Sequence, residues 1–138
     1  MDEAVIKYYR KLLRTGFEHA GSFDNPSVFL ESGAVGKSCW GGGAGEYMHI
    51  FINVTNGRID DIRYLCLCDP TANVTVEALC ALAKGKRVDE TQTITEDSIL
   101  QAIGTESEDV RKKARRLLES LNNGLTRFRL KMPQTSSP

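Results

Sequence analysis

Four cysteines, two histidines and one glycine-rich stretch are the residues of this sequence whose chemistry could go beyond packing. Cys66 and Cys68 stand one residue apart, so a strand would place both thiols on one face, because side chains alternate along it. Zinc knuckles leave about two to four residues between paired cysteines. Cys66-Leu67-Cys68 is therefore a poor chelate by itself, and filling the core is the expectation. Cys80 lies in an apolar run and is expected to behave as a small hydrophobe. His19 and His49 stand apart, with no carboxylate at the spacing of a triad or a zinc protease. No nucleophile–base pair emerges, which argues against an enzyme.

Gly33-Ala34-Val35-Gly36-Lys37-Ser38 has the ending of a phosphate-binding loop, in which glycines let backbone N–H groups wrap a phosphate while Lys and Ser reach the phosphates and magnesium. The first glycine of that motif falls at Glu31, a carboxylate where an anion should sit, and no alternating strand–helix pattern follows. Gly41-Gly42-Gly43-Ala44-Gly45 cannot pack and costs backbone entropy on folding, so a mobile or closely approached loop is expected there. Cys39 and Trp40 precede this loop and Glu46 follows it. Trp40 is a reasonable anchor for a protein contact. Arg111-Lys112-Lys113-Ala114-Arg115-Arg116 is a basic run preceded by Glu108 and Asp109, which reads as a solvated helix face rather than a nucleic-acid patch.

The elements that must position these residues follow from periodicity. Val5, Ile6, Tyr8, Tyr9, Leu12 and Leu13 recur at helical spacing over Val5–Leu13, with Gly16 as a stop. Gly21 to Pro26 is turn chemistry, and a first strand is expected over Ser27–Gly33. Glu46–Val54 alternates apolar and polar residues, Asn56-Gly57 suits a tight turn, and Arg58–Cys68 returns as the partner strand. Thr71–Lys84 reads as a buried helix ended by Gly85. Thr93 and Glu96 have capping-box spacing before a short helix that ends at Gly104. Ser107–Leu121 is the last helix, with Asn122-Asn123-Gly124 as its stop. The fold class this order predicts is α+β: a three-stranded antiparallel sheet with helices packed on one face.

Composition sets the outer bounds. The chain has 138 residues, 18 Lys+Arg against 18 Asp+Glu, and a 41% apolar share. That is enough for one self-supporting domain, expected over 1–132, with a frayed polar tail over 133–138. Balanced charge removes the long-range pull on nucleic acid or an anionic membrane. Met1 to Arg14 has acidic residues near its start and no continuous apolar run, so a cytoplasmic location with reduced thiols is expected.

Gly45-Glu46-Tyr47-Met48-His49-Ile50, the hairpin Asn56 to Tyr64 and the helix end Leu82-Ala83-Lys84-Gly85-Lys86-Arg87-Val88-Asp89-Glu90 together resemble the U-type iron–sulfur cluster scaffold, the IscU and NifU amino-terminal domain. Gly21-Ser22-Phe23-Asp24-Asn25-Pro26 fits the opening of that family, and the likeness runs from about Tyr8 to Leu121. The resemblance implies a cluster-assembly scaffold in which three cysteines and an aspartate hold a transient iron–sulfur cluster. Thiolates suit iron and sulfide, and a harder carboxylate makes one position labile. At the three cysteine slots this sequence has Ala44, Asp69 and Lys113.

Two readings of the altered slots stay open. In one, Cys39 and Cys68 join Glu46 and Asp69 in a non-standard site for iron or zinc. In the other, Asp69 and Lys113 pair across a vacated pocket, and the protein is a metal-free interaction module of cluster assembly. A cysteine desulfurase is the partner that the resemblance implies. The family's Leu-Pro-Pro-Val-Lys segment, a chaperone recognition site in some members, should fall near Ile103–Ser107, which reads Ile-Gly-Thr-Glu-Ser and does not support that partner.

Overall fold

A computed structural model describes residues 2–32 and 47–131. Helix α1 (Glu3–Thr15) starts on Asp2, whose carboxylate accepts from the Val5 N–H and from the Thr105 hydroxyl, and it stops at Gly16 with φ 103°. Strands β1 (Val28–Ser32), β2 (Tyr47–Thr55) and β3 (Arg58–Leu67) form one antiparallel sheet in the order β1-β2-β3. The β2–β3 turn is at Asn56-Gly57, with φ 54° and 75°, the positive angles that this pair tolerates. A bulge lies between Asn53 and Val54.

Helix α2 (Pro70–Ala83), a 3₁₀ turn (Val88–Thr93), α3 (Glu96–Ile103) and α4 (Glu108–Lys131) follow in the described residues. The helices cover one sheet face, where Val28, Leu30, Met48, Ile50, Ile52, Ile62 and Tyr64 meet Val74, Leu79, Ile99, Leu117 and Leu121 in one core. Alternation sends Phe29, Tyr47, His49, Phe51, Leu65 and Leu67 to the other face, where the Phe29 ring sits 5.2 Å from each of the Phe51 and His49 rings. The α+β arrangement matches the one expected from periodicity.

Three local expectations are corrected. The capping box before α3 is Thr95 with Ser98, each side chain bonding the other's backbone N–H, because the 3₁₀ turn occupies the chain through Thr93. Helix α4 runs through Asn122-Asn123-Gly124 to Lys131 instead of stopping there. Gly124 sits where a β-carbon would collide with the Leu30 side chain, so this glycine lets α4 approach β1 and is not a cap. Leu13 of the expected helix face is 60% exposed, and Val5 and Leu12 carry the burial of α1. The tail from Pro133 lies outside the described residues.

Candidate functional site

The junction between β3 and α2 gathers Cys66, Cys68 and Asp69. Cys66 pairs across the ladder with Met48, and β3 ends at Leu67. The chain then turns into α2 with Pro70 in the first turn and Asp69 as N-cap, its Oδ1 accepting from the Ala72 N–H at 2.8 Å. Helix N-termini leave such N–H groups without intrahelical partners, and a carboxylate there also complements the helix dipole. Cys68 lies between strand end and cap, half-buried, and its sulfur is joined to that of Cys66 in a disulfide. This corrects the expectation of reduced thiols for Cys66 and Cys68, while Cys80 is free and both disulfide cysteines still pack against the core.

Lys113 is buried, 4% exposed, on the inner side of α4, and its ammonium donates to Asp109 Oδ1 one turn earlier at 2.7 Å. The expected pair between Asp69 and Lys113 does not form: each has a local partner closer along its own helix. The rest of the basic run is partly solvated as expected. Arg111 bridges Glu96 and Asp97, and Arg115 reaches Glu96. The hydrogen bond from Arg115 leads, and with a further one from Arg111 it holds the Glu96 carboxyl below its ordinary range against the opposing effect of burial. Cys39, Ala44 and Glu46 lie outside the described residues, so of the sequence-derived site residues the structure places Cys68, Asp69 and Lys113.

A second polar cluster lies beneath α2. Glu77, 3% exposed, accepts from His19 Nδ1 at 2.7 Å and from the Tyr64 hydroxyl at 3.0 Å. The His19 tautomer is thereby set with its proton on Nδ1. The Tyr64 hydroxyl also stands 2.8 Å from Asn73 Oδ1. Backbone bonds from Tyr64 N–H to His19 O and from Gly21 N–H to Tyr64 O stitch the α1–β1 connection onto β3. Burial, followed by the Glu77 charge, pushes the Tyr64 phenol far above its ordinary range, and the same causes in the same order raise Tyr8. Burial, then Glu77 and Asp61, raise the Cys80 thiol, which leaves it an inert hydrophobe. Spacing along the sequence missed His19–Glu77 because 58 residues separate the partners. One signal was available: Glu77 is the lone charged residue in helix α2, which is mostly buried, and it needed a buried partner. His49, with no carboxylate at triad or zinc-protease spacing along the sequence, lies 3.3 Å from Glu31 on the neighbouring strand.

The family model for the NifU-like N terminal domain matches residues 16–134. The chain belongs to the NifU-like N-terminal domain family. Two curated relatives, iron-sulfur cluster assembly scaffold proteins IscU 1 and IscU 2 of Archaeoglobus fulgidus, are each 35% identical over 60 residues, which is 44% of this chain and 39% of theirs. The matched stretch thus spans about two-fifths of those relatives. Among solved structures, the N-terminal part of a nitrogen-fixing NifU-like protein from Brucella abortus superposes with a TM-score of 0.65 at 10% identity, covering 95% of both chains. A putative iron-sulfur cluster assembly scaffold protein for the SUF system from Fervidobacterium islandicum gives 0.63 at 12% identity, over 91% of this chain and 96% of that one. At such identities these structures establish the fold.

Asp69 and Lys113, which the resemblance sets at two of the family's cysteine slots, do not fit an iron–sulfur cluster. A cluster needs thiolates. Asp69 offers a carboxylate already accepting from a helix N–H, and Lys113 offers an ammonium with no lone pair to donate. Among the described residues, no three His, Cys, Asp or Glu side chains converge as a metal site, and no helix is long and apolar enough to cross a membrane.

Proposed function

We propose that this protein serves iron–sulfur cluster assembly as a scaffold-fold interaction module, non-enzymatic and cytoplasmic, that binds assembly partners without holding a cluster at the family's slots. The observation that carries this reading is Lys113: a buried ammonium, neutralised by Asp109, stands where the family resemblance implies a thiolate. A cation there repels iron, and burying it without its carboxylate partner would be costly, so the local chemistry is that of a closed helix interface. The partner class is a cysteine desulfurase or another assembly protein.

One observation favours a metal-binding alternative. Cys68 and Asp69 are consecutive at the β3–α2 junction, so a site completed by Cys39 and Glu46 would have two of its four donors side by side. That reading requires reduction first, since a disulfide sulfur has no thiolate to give. Anaerobic reconstitution of the full chain with ferrous iron, sulfide and a desulfurase, followed by absorbance and metal analysis, separates the two. A colourless protein with substoichiometric metal that still binds the desulfurase by calorimetry is the expected result. A stoichiometric chromophore or metal content that is lost in Cys39→Ala would overturn it in favour of the Cys39, Glu46, Cys68, Asp69 site.

A further inference from the structure

We propose that Cys66 and Cys68 form a reversible dithiol–disulfide couple that exchanges two electrons with a dithiol partner at the β3–α2 junction. The inference stands apart from the cluster-assembly reading, which leaves Cys66 unused.

Geometry allows the bond without disturbing the fold. The two side chains meet at the end of β3, and their α-carbons are 5.5 Å apart, inside the range that a disulfide spans. Two residues of extended strand would advance about 6.5 Å. The approach is closer because β3 ends at Leu67 and the chain turns toward the Asp69 cap. Each side of the pair is anchored independently: Cys66 by its ladder position opposite Met48, and Cys68 by the Asp69 helix cap that follows it. Opening the bond therefore leaves the neighbouring backbone hydrogen bonds in place.

A stapling role does not account for the bond. Disulfides stabilise chiefly by restricting the unfolded chain, and the restriction grows with the length of the loop closed. Here the loop contains only Leu67, so the bond constrains little that the β3 ladder does not already hold. Both cysteines pack against the core but are only half-buried, so part of each side chain stays open to a partner. Cys80 provides the contrast, since it is fully buried and its thiol is held protonated by its surroundings.

The exchange balances as follows. A thiolate of the partner dithiol attacks one sulfur of the Cys66–Cys68 bond, forming a mixed disulfide and releasing the other cysteine as a thiolate, which takes up a proton. The partner's second thiol, on losing its proton, attacks the partner sulfur in the mixed disulfide and frees the remaining cysteine. Cys66 and Cys68 together gain two electrons and two protons, and the partner dithiol becomes a disulfide.

The test uses the full chain equilibrated with mixtures of reduced and oxidised dithiothreitol, acid-quenched and alkylated with iodoacetamide. Cleavage after Arg63 and Lys84 places Cys66, Cys68 and Cys80 on one peptide, so alkylation at Cys80 serves as an internal control. The expected result is that Cys66 and Cys68 pass from unlabelled to doubly labelled in one joint transition, with circular dichroism unchanged. In Cys66→Ser the joint step disappears, and Cys68 takes up a single mixed disulfide when glutathione disulfide is added. Three results would overturn the proposal: both thiols free in oxidised dithiothreitol, a bond that dithiothreitol does not open in the folded chain, or Cys68 bonded to Cys39. If Cys66→Ser does not fold, the wild-type titration decides alone.

Discussion

His19 Nδ1 lies 2.7 Å from Glu77 Oε2, with both side chains almost sealed from water, and this contact fastens the segment after α1 to the middle of α2. Tyr64 closes the arrangement from β3 through the other carboxylate oxygen. Three elements thus converge on one buried carboxylate.

Removing that carboxylate should be among the most damaging single changes in the chain. Glu77→Ala leaves the buried His19 ring without its carboxylate partner, while the Tyr64 hydroxyl keeps Asn73 Oδ1, and a loss of about 3 kcal/mol is expected in urea unfolding. Glu77→Gln retains an oxygen for one of the two hydrogen bonds and should cost less, about 1.5–3 kcal/mol. Equal losses in the two variants would show that packing, and not the polar contacts, holds this region.

Lys113 and Asp109 should respond asymmetrically. Asp109→Ala leaves the Lys113 ammonium without its acceptor, and because Asp109 itself is more than half exposed the expected cost is about 1–3 kcal/mol. Lys113→Met keeps the stem's volume while removing the charge, and should be neutral or stabilising. A Lys113→Met variant less stable than Asp109→Ala would mean that the ammonium makes contacts beyond Asp109.

Gly124→Ala opposes two effects of known size. Alanine improves helix propensity by about 1 kcal/mol, yet its methyl group must displace Leu30 inside a packed core, at about 1–3 kcal/mol. Net destabilisation is expected, and adding Leu30→Ala should cost less in Gly124→Ala than in the wild type. Additive costs in a double-mutant cycle would remove the close approach as the reason for this glycine.

What the sequence made legible divides along physical lines. The hairpin was readable because Asn56-Gly57 and strand alternation are local, and α2 because an apolar run ending before Gly85 has few other uses. Gly124 misled because the same absence of a β-carbon serves a helix stop and a close helix–strand approach, and only packing against Leu30 distinguishes them. The His19–Glu77 contact depends on how the segment after α1 folds back, which no spacing encodes. Counting along the chain set Asp69 and Lys113 at slots that the resemblance implies, and one of the two open readings paired them with each other. Nearer partners won, since a cap N–H and a carboxylate one helical turn away cost less ordering than a pair across two helices.

Stability should carry a dependence on acid through Glu96. Its carboxyl is held below the ordinary value of 4.5 by Arg115 and Arg111, so the folded state binds this proton more weakly than the unfolded state. The resulting stabilisation is fully present above about pH 4.5 and is lost as pH falls through the lowered folded value. The difference in unfolding free energy between wild type and Glu96→Gln should therefore be constant from neutral pH down to that point and shrink below it. A difference that does not change with pH would remove the ion pairs as its source.

Rebuilding the family's slots offers the strictest test of why this chain would not hold a cluster. If the fold is competent and only the donors are missing, then Ala44→Cys, Asp69→Cys and Lys113→Cys combined should supply the three thiolates that the family resemblance implies. Asp69→Cys removes a helix cap, at about 1 kcal/mol, and Lys113→Cys removes a buried charge, so the triple variant should remain folded. Anaerobic reconstitution should then give a visible chromophore in the triple variant and none in the wild type. The single Asp69→Cys should stay colourless, because Lys113 still presents its ammonium. A triple variant that folds and stays colourless would show that the vacated slots no longer converge, placing the divergence in the backbone and not in the side chains alone.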